Sequence, residues 1–311
     1  MRSPAVTGNR SAAGSLTLFV LLIAASLVVA AAVSPLAQQG LAATIQEFPL
    51  HRVFNRVAMG VFLVGTWLMF RREGLTSRAA LGYGAAPRVL LTSIGAGFAI
   101  GAALMTAVCA ALMGLGVRIV RPEYSASLSG ILAAIPSALV AGLAVGLIEE
   151  TFFRGAMYSA LSRNGRWVSA VIATSILYSL VHFLGEKVRI PPESVNWLSG
   201  WVIFARYFSA FADPARIFDA ALALFMVGVL LALVRRATGH IGACIGLHAG
   251  FVAVIALFRE VTTALFDSRW SFLVSRFDGL VGYLVAALAA LCCVAFVLLR
   301  PTQVQRGAGG S

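Results

Sequence analysis

Long apolar runs, each bounded by short stretches of arginine, glycine or proline, set the pattern of this chain. They predict eight helices, at roughly 16–37, 54–70, 89–116, 131–162, 166–184, 218–234, 240–258 and 279–299. Runs such as Leu16 to Leu36 and Leu280 to Leu299 are close to the ~20 apolar residues that cross a bilayer as a helix. No segment alternates apolar and polar positions as a half-buried strand would. The fourth run is longer than one crossing needs, which predicts a tilted or projecting helix. The expected fold class is all-α, a polytopic transmembrane helical bundle of about eight spans.

Composition agrees and excludes a soluble globular domain. Of the 311 residues, 60% are hydrophobic and only 12% charged, and the mean hydropathy is +0.91; an ordinary soluble chain carries about 25% charged residues. The net charge of +12 does not point to nucleic acid, because the basic residues stand singly or in pairs between spans. Their expected partner is the lipid bilayer.

With the N-terminus inside, the inner segments carry Arg2, Arg10, Arg71, Arg72, Arg78, Arg88, Arg163, Arg166, Arg235, Arg236, Arg300 and Arg306, against the single carboxylate Glu73. The outer segments mix Arg and Lys with Glu47, Glu123, Glu186, Glu193, Asp213, Asp219, Glu260, Asp267 and Asp278. The positive-inside rule then predicts both termini in the cytoplasm. The first apolar run exceeds the roughly 7–15 residues of a signal-peptide core, so an uncleaved first helix is expected. Cys109, Cys244, Cys292 and Cys293 fall in spans without CxxC spacing and read as small buried residues. The loop 185–216 mixes Trp197, Trp201, Phe204, Tyr207 and Phe208 with Glu193 and Arg206, a composition suited to an interfacial half-helix or a lid.

Against this apolar background, Glu149, Glu150, Arg154, His182 and His248 stand out. Ionisable groups inside spans are costly and mark functional sites. Two glutamates and two histidines are also able to hold and activate a water molecule. Glu149 lies about 21 Å along a helix from the basic turn at Arg163, and His182 about 24 Å from Arg166. Helices four and five, packed as an antiparallel hairpin, would bring both to similar depth. Glu150 and Arg154 are i,i+4 neighbours and can pair. Glu149 is rotated by roughly 100° from Glu150 and is free to face elsewhere. Tyr178 precedes His182 by one turn. His248 sits among Gly246, Ala249 and Gly250, whose small side chains admit a neighbouring helix or a substrate backbone, whereas His240, after Gly239, suits helix capping. There is no HExxH, GxSxG, phosphate-loop or dinucleotide-binding motif.

Glu149-Glu150-Thr-Phe-Phe-Arg154 resembles the EExxxR motif of the CPBP intramembrane protease family, the CAAX prenyl protease type 2 and bacteriocin-processing group. Tyr178-Ser-Leu-Val-His182 resembles its second motif, with Tyr where Phe is usual, and His248 resembles the histidine of its third, HxxxN. The similarity covers about residues 131–258. It implies an intramembrane endopeptidase acting on a membrane-anchored peptide or protein, in a cell membrane (the bacterial inner membrane). By resemblance, Glu149 and His182 activate the attacking water, while His248 and an Asn one turn later stabilise the oxyanion. Glu150, Arg154 and Tyr178 support the site. The resemblance leaves open a metal-free glutamate mechanism and a metalloprotease mechanism in which Glu149, His182 and His248 hold a metal such as zinc. At the Asn position this chain has Val252, which cannot donate a hydrogen bond.

The domain organisation expected is a tail at 1–15, N-terminal spans at 16–130, the CPBP-like core with its 185–216 loop at 131–258, a last loop and span at 259–300, and a tail at 301–311. Two other functions fit buried charge in a membrane. A transporter would use it along a permeation path, although the two halves show no matching pair of short, broken helices. A non-catalytic peptide-binding scaffold is the reading that Val252 favours.

Overall fold

The computed structural model describes residues 12–42, 49–124, 128–163, 166–185 and 188–299. Arg2, Arg10, Glu47, Glu186, Arg300 and Arg306, used above for topology, lie outside the described residues. Helices occupy all eight expected places. In chain order the elements are α1 (Ala12–Ala42), α2 (Leu50–Arg72), α3 (Pro87–Gly114), β1 (Arg118–Val120) and α4 (Leu128–Glu150). A π-helical stretch, Thr151–Met157, then runs into α5 (Tyr158–Leu161), followed by α6 (Trp167–Val181), α7 (Ser199–Arg206), α8 (Pro214–Thr238), α9 (Gly242–Val261), β2 (Thr262–Ala264) and α10 (Tyr283–Leu299).

Among the described residues, α1, α2, α3, the run from α4 through α5, α8 and α9 are six helices long and apolar enough to cross a membrane. The expected fifth and eighth spans are shorter. With 15 residues in α6 and 17 in α10, they reach about 22 and 25 Å, less than the ~30 Å of a bilayer core. Large apolar side chains such as Leu63, Val64, Val140, Leu147, Val294 and Leu298 are exposed along these helices. Water would not tolerate so much apolar surface, but lipid does. The chain is a multi-pass membrane protein.

Local sequence explains the helix limits. Pro87 stands in the first turn of α3, where its missing N–H costs nothing. Gly74 (φ 68°) and Gly116 (φ 65°) end α2 and α3 in the left-handed conformation that glycine adopts most readily. The residues that follow donate back to the last turn, Leu75 N–H to Phe70 O at 2.8 Å and Val117 N–H to Leu112 O at 2.9 Å.

The chain divides into two compact units. The first comprises the described parts of Met1–Thr76 and His182–Pro214; the second, those of Ser77–Val181 and Ala215–Ser311. In the first, Leu27, Ala30 and Ala31 of α1 pack with Leu50, Phe54 and Ala58 of α2 and Ile203 of α7. Most of the 185–216 segment therefore belongs here, as a short helix with Gly200 against the Ala31 backbone. Trp197 and Trp201 remain exposed. Ser15 Oγ donates to the Glu73 carboxylate at 3.1 Å, which accounts for a buried acid at the end of α2.

In the second unit α9 is packed between α3 and α4, and glycine sets the spacing. A Cβ at Gly97 of α3 would lie 2.5 Å from Ala243 O, and one at Gly142 of α4 would lie 2.5 Å from Ala249 O. Backbones in direct contact are the usual solution where lipid supplies no hydrophobic drive between helices. Just beyond α9, β2 pairs antiparallel with β1, with Ile119 opposite Thr263. The sequence predicts no strand here, because three residues are too few to show alternation.

Candidate active site

α4 ends in the pair Glu149-Glu150, and the chain then passes into the wider π-helical turn. Such turns occur often at functional sites. The turn is fixed from outside its own helix: Tyr83 OH meets Thr151 Oγ1 at 2.6 Å, and Arg235 Nε on α8 donates to Arg154 O at 3.0 Å. Gly155 lies against the Leu81 carbonyl, where a Cβ would come within 2.6 Å.

Glu150 and Arg154 are both wholly buried and pair as their i,i+4 spacing predicts, with Arg154 Nη1 2.8 Å from Glu150 Oε1. Arg154 Nη2 donates to Gly228 O on α8 at 3.2 Å. The guanidinium lies 4.4 Å from the Tyr178 ring centroid on α6 and 5.6 Å from that of Phe153, so its positive charge also meets aromatic π-faces. Without these partners, a cation and an anion at zero exposure would be strongly disfavoured.

The same Glu150 Oε1 meets His248 Nδ1 of α9 at 2.8 Å. An ionised carboxylate only accepts, so Nδ1 is the donor and the ring's orientation is set. Nε2 then points the other way, 3.4 Å from Tyr178 OH and 3.9 Å from Glu149 Oε2. His248 is 4% exposed and Glu149 29%, so the pair joins a buried histidine to a carboxylate that is only partly covered. Glu150 Oε2 and Arg154 Nε have no hydrogen-bond partner among the described residues.

The second unit thus brings together Glu149, Glu150, Arg154, Tyr178 and His248. His182 is the residue after the end of α6 and belongs to the first unit. Val252 is half-buried on α9, one turn beyond His248. Among the described residues no three His, Cys, Asp or Glu side chains are grouped to hold a metal ion. His240 caps α9, its Nδ1 accepting Gly242 N–H at 3.2 Å.

Three contributors were not readable as site residues. Arg235 reads in the sequence as a topological charge, Gly228 contributes only a carbonyl, and Tyr83 has no motif around it. Nothing short of the tertiary contacts would have singled them out.

Residues 130–254 match the family described as type II CAAX prenyl endopeptidase, Rce1-like. No curated protein and no solved structure matches the chain. The matched segment holds Glu149, Glu150, Arg154, Tyr178, His182 and His248, together with the departure at Val252. Buried acid, arginine and histidine in a membrane-length helix pair fit that family's intramembrane endopeptidases. This chain therefore carries, at residues 130–254, an Rce1-like domain of the CPBP family.

Proposed function

We propose that the protein hydrolyses a peptide bond in a membrane-anchored peptide or protein, with Glu149 as general base and His248 as the group facing the oxyanion. The observation that carries this reading is the 3.9 Å separation of Glu149 Oε2 from His248 Nε2. It is too long for a direct hydrogen bond and short enough for one water to touch both atoms.

In the reaction, Glu149 takes a proton from that water as its oxygen attacks the scissile carbonyl carbon. The carbonyl electrons move onto oxygen, and protonated His248 Nε2 donates to the oxyanion. Glu150 holds Nδ1 and is itself balanced by Arg154; the imidazolium charge is balanced by the Glu149 carboxylate 3.9 Å away and then by the oxyanion. When the tetrahedral intermediate collapses, Glu149 returns its proton to the leaving amine. A fixed donor in a site of low dielectric is worth more than the same donor in water. Given the family's description, a prenylated C-terminal peptide is the first substrate class to offer. The charge asymmetry of the sequence places both termini on the cytoplasmic side in this reading.

The test compares wild-type and Glu149→Gln protein in nanodiscs against a library of membrane-anchored peptides, with cleavage read by mass spectrometry. Loss of a general base should lower turnover by about 10²–10⁴-fold with the unfolding temperature unchanged. Full activity in a folded Glu149→Gln protein would end the proposal.

A further inference from the structure

Beyond the far end of α9 lies a second polar site. Arg259, at that end, is 11 positions from His248, about 16 Å along the helix. The β1–β2 pairing gathers Arg118, Arg121, Arg259 and Arg276 around a cavity of about 370 Å³, with Asp278 as the single acid in its lining. The four arginines come from three separate stretches of chain, so the cluster is a product of folding and not a basic run.

Two of them are structural. Arg118 is buried and spends its donors on Thr262 Oγ1 at 2.8 Å, Thr262 O at 2.9 Å and the Gly279 carbonyl. Arg121 reaches Thr262 O and Arg259 O, both at 3.1 Å, and so covers the last carbonyls of α9. Arg259 pairs with Asp278. Arg276 is exposed and has no hydrogen bond, ion pair or ring contact with any described residue. The cavity wall therefore carries more cations than it neutralises. Burial, then the neighbouring Arg259, push the Arg118 guanidinium below its ordinary value. Burial also raises the Asp278 carboxyl, weakening the one negative charge available. An anion in the cavity would favour the charged form of Arg118.

The rim is aromatic. Phe266 and Phe277 line the cavity and are exposed; between them in the chain, Phe272 is 55% exposed and Arg269 stacks on Trp270 at 4.8 Å. Aromatic rings interleaved with arginines, just past the ends of the membrane-length helices α3 and α9, match the chemistry of a bilayer's headgroup layer.

We propose that this cavity binds the phosphate of an anionic membrane phospholipid, through Arg276, Arg259 and Arg121 over the buried charge of Arg118. Arginine forks suit phosphate oxygens, and the exposed phenyl rings lie where the glycerol and upper acyl chain would run. The site is separate from the Glu149–His248 pair, and it stands or falls on lipid binding whether or not the domain cleaves peptides.

The experiment uses the full-length protein in neutral detergent, titrated separately with phosphatidylglycerol, phosphatidylcholine and inorganic phosphate, with bound lipid counted by native mass spectrometry. Expected is saturable binding of phosphatidylglycerol, with phosphatidylcholine weaker and inorganic phosphate unable to displace the lipid. Arg276→Gln should weaken phosphatidylglycerol about fivefold, and Arg276→Glu further, with unfolding temperatures unchanged because Arg276 holds nothing in place. Equal binding of the two lipids would overturn the proposal, as would unaltered affinity in both variants. Displacement by inorganic phosphate alone would replace the lipid with a soluble anion.

Discussion

Removing Arg154 and Glu150 singly and together separates the stability of the buried network from its chemistry. The two charges lie 2.8 Å apart at zero exposure, so solvent screening does not discount them. At an effective dielectric of about 20, the gross attraction is ~6 kcal/mol, much of it offset by taking both groups out of water. Arg154→Met leaves Glu150 buried with only His248 beside it, and also loses the Gly228 bond and the Tyr178 stacking. Glu150→Leu leaves the buried guanidinium without its anion. Each single variant should lose about 3–5 kcal/mol, with Arg154→Met at the upper end. The double variant strands no charge and should return to within about 1 kcal/mol of wild type, or exceed it. Cleavage should stay absent in the double variant, because His248 Nδ1 has lost its acceptor. Reversible unfolding of the full chain in detergent, followed by circular dichroism, gives the energies, and peptide cleavage on the same samples gives the activity. A double variant less stable than either single one would refute the electrostatic argument. One that cleaves at the wild-type rate would refute the role of Glu150 in holding His248.

Val252→Asn restores a donor one turn from His248 and should raise kcat/KM by roughly tenfold or more, read from peptide cleavage; an unchanged rate would show that no donor acts from that position. Gly142→Leu should cost about 1–3 kcal/mol, because its Cβ would lie 2.5 Å from Ala249 O, whereas Gly95→Ala, with nothing within 4 Å, should be neutral in the same unfolding assay. His240 introduces a pH dependence: burial, then Arg235, lower its pKa from 6.5, so folding favours the neutral ring. Its contribution is full above pH 6.5 and is lost as pH falls through the lower folded value. Wild type should therefore lose stability as the pH falls below about 6.5 relative to His240→Asn, which keeps an acceptor for Gly242 N–H but does not titrate.

The eight apolar helices were legible because hydropathy depends only on which residues adjoin. The Glu150–Arg154 pair was legible because i,i+4 spacing is local. The π-helical turn between them was not. In a helix apolar on all sides there is no polar stripe whose phase an inserted residue would shift. The Glu150–His248 contact spans 98 residues, and no periodicity reports on it. The family resemblance assigned His248 to the oxyanion without revealing that its other nitrogen is held by Glu150. The arginine cavity was missed for a related reason. Arg118, Arg121, Arg259 and Arg276 each read as a charge flanking a span, and only the pairing of two three-residue strands draws them together.

The ion pair across the junction of α4 and the π-helical turn also bears on how the chain is made. Gly228 and His248, which later engage Arg154 and Glu150, lie 74 and 98 residues downstream. At about 5–20 residues per second, α4 emerges from the ribosome some seconds before either partner exists. A lone arginine at the centre of an inserting helix costs about 3 kcal/mol or more. Glu150 sits one turn away on the same helix, so Arg154 enters the bilayer already neutralised. The helix that carries the acids can thus be integrated by itself, before the partners that complete the network have been synthesised.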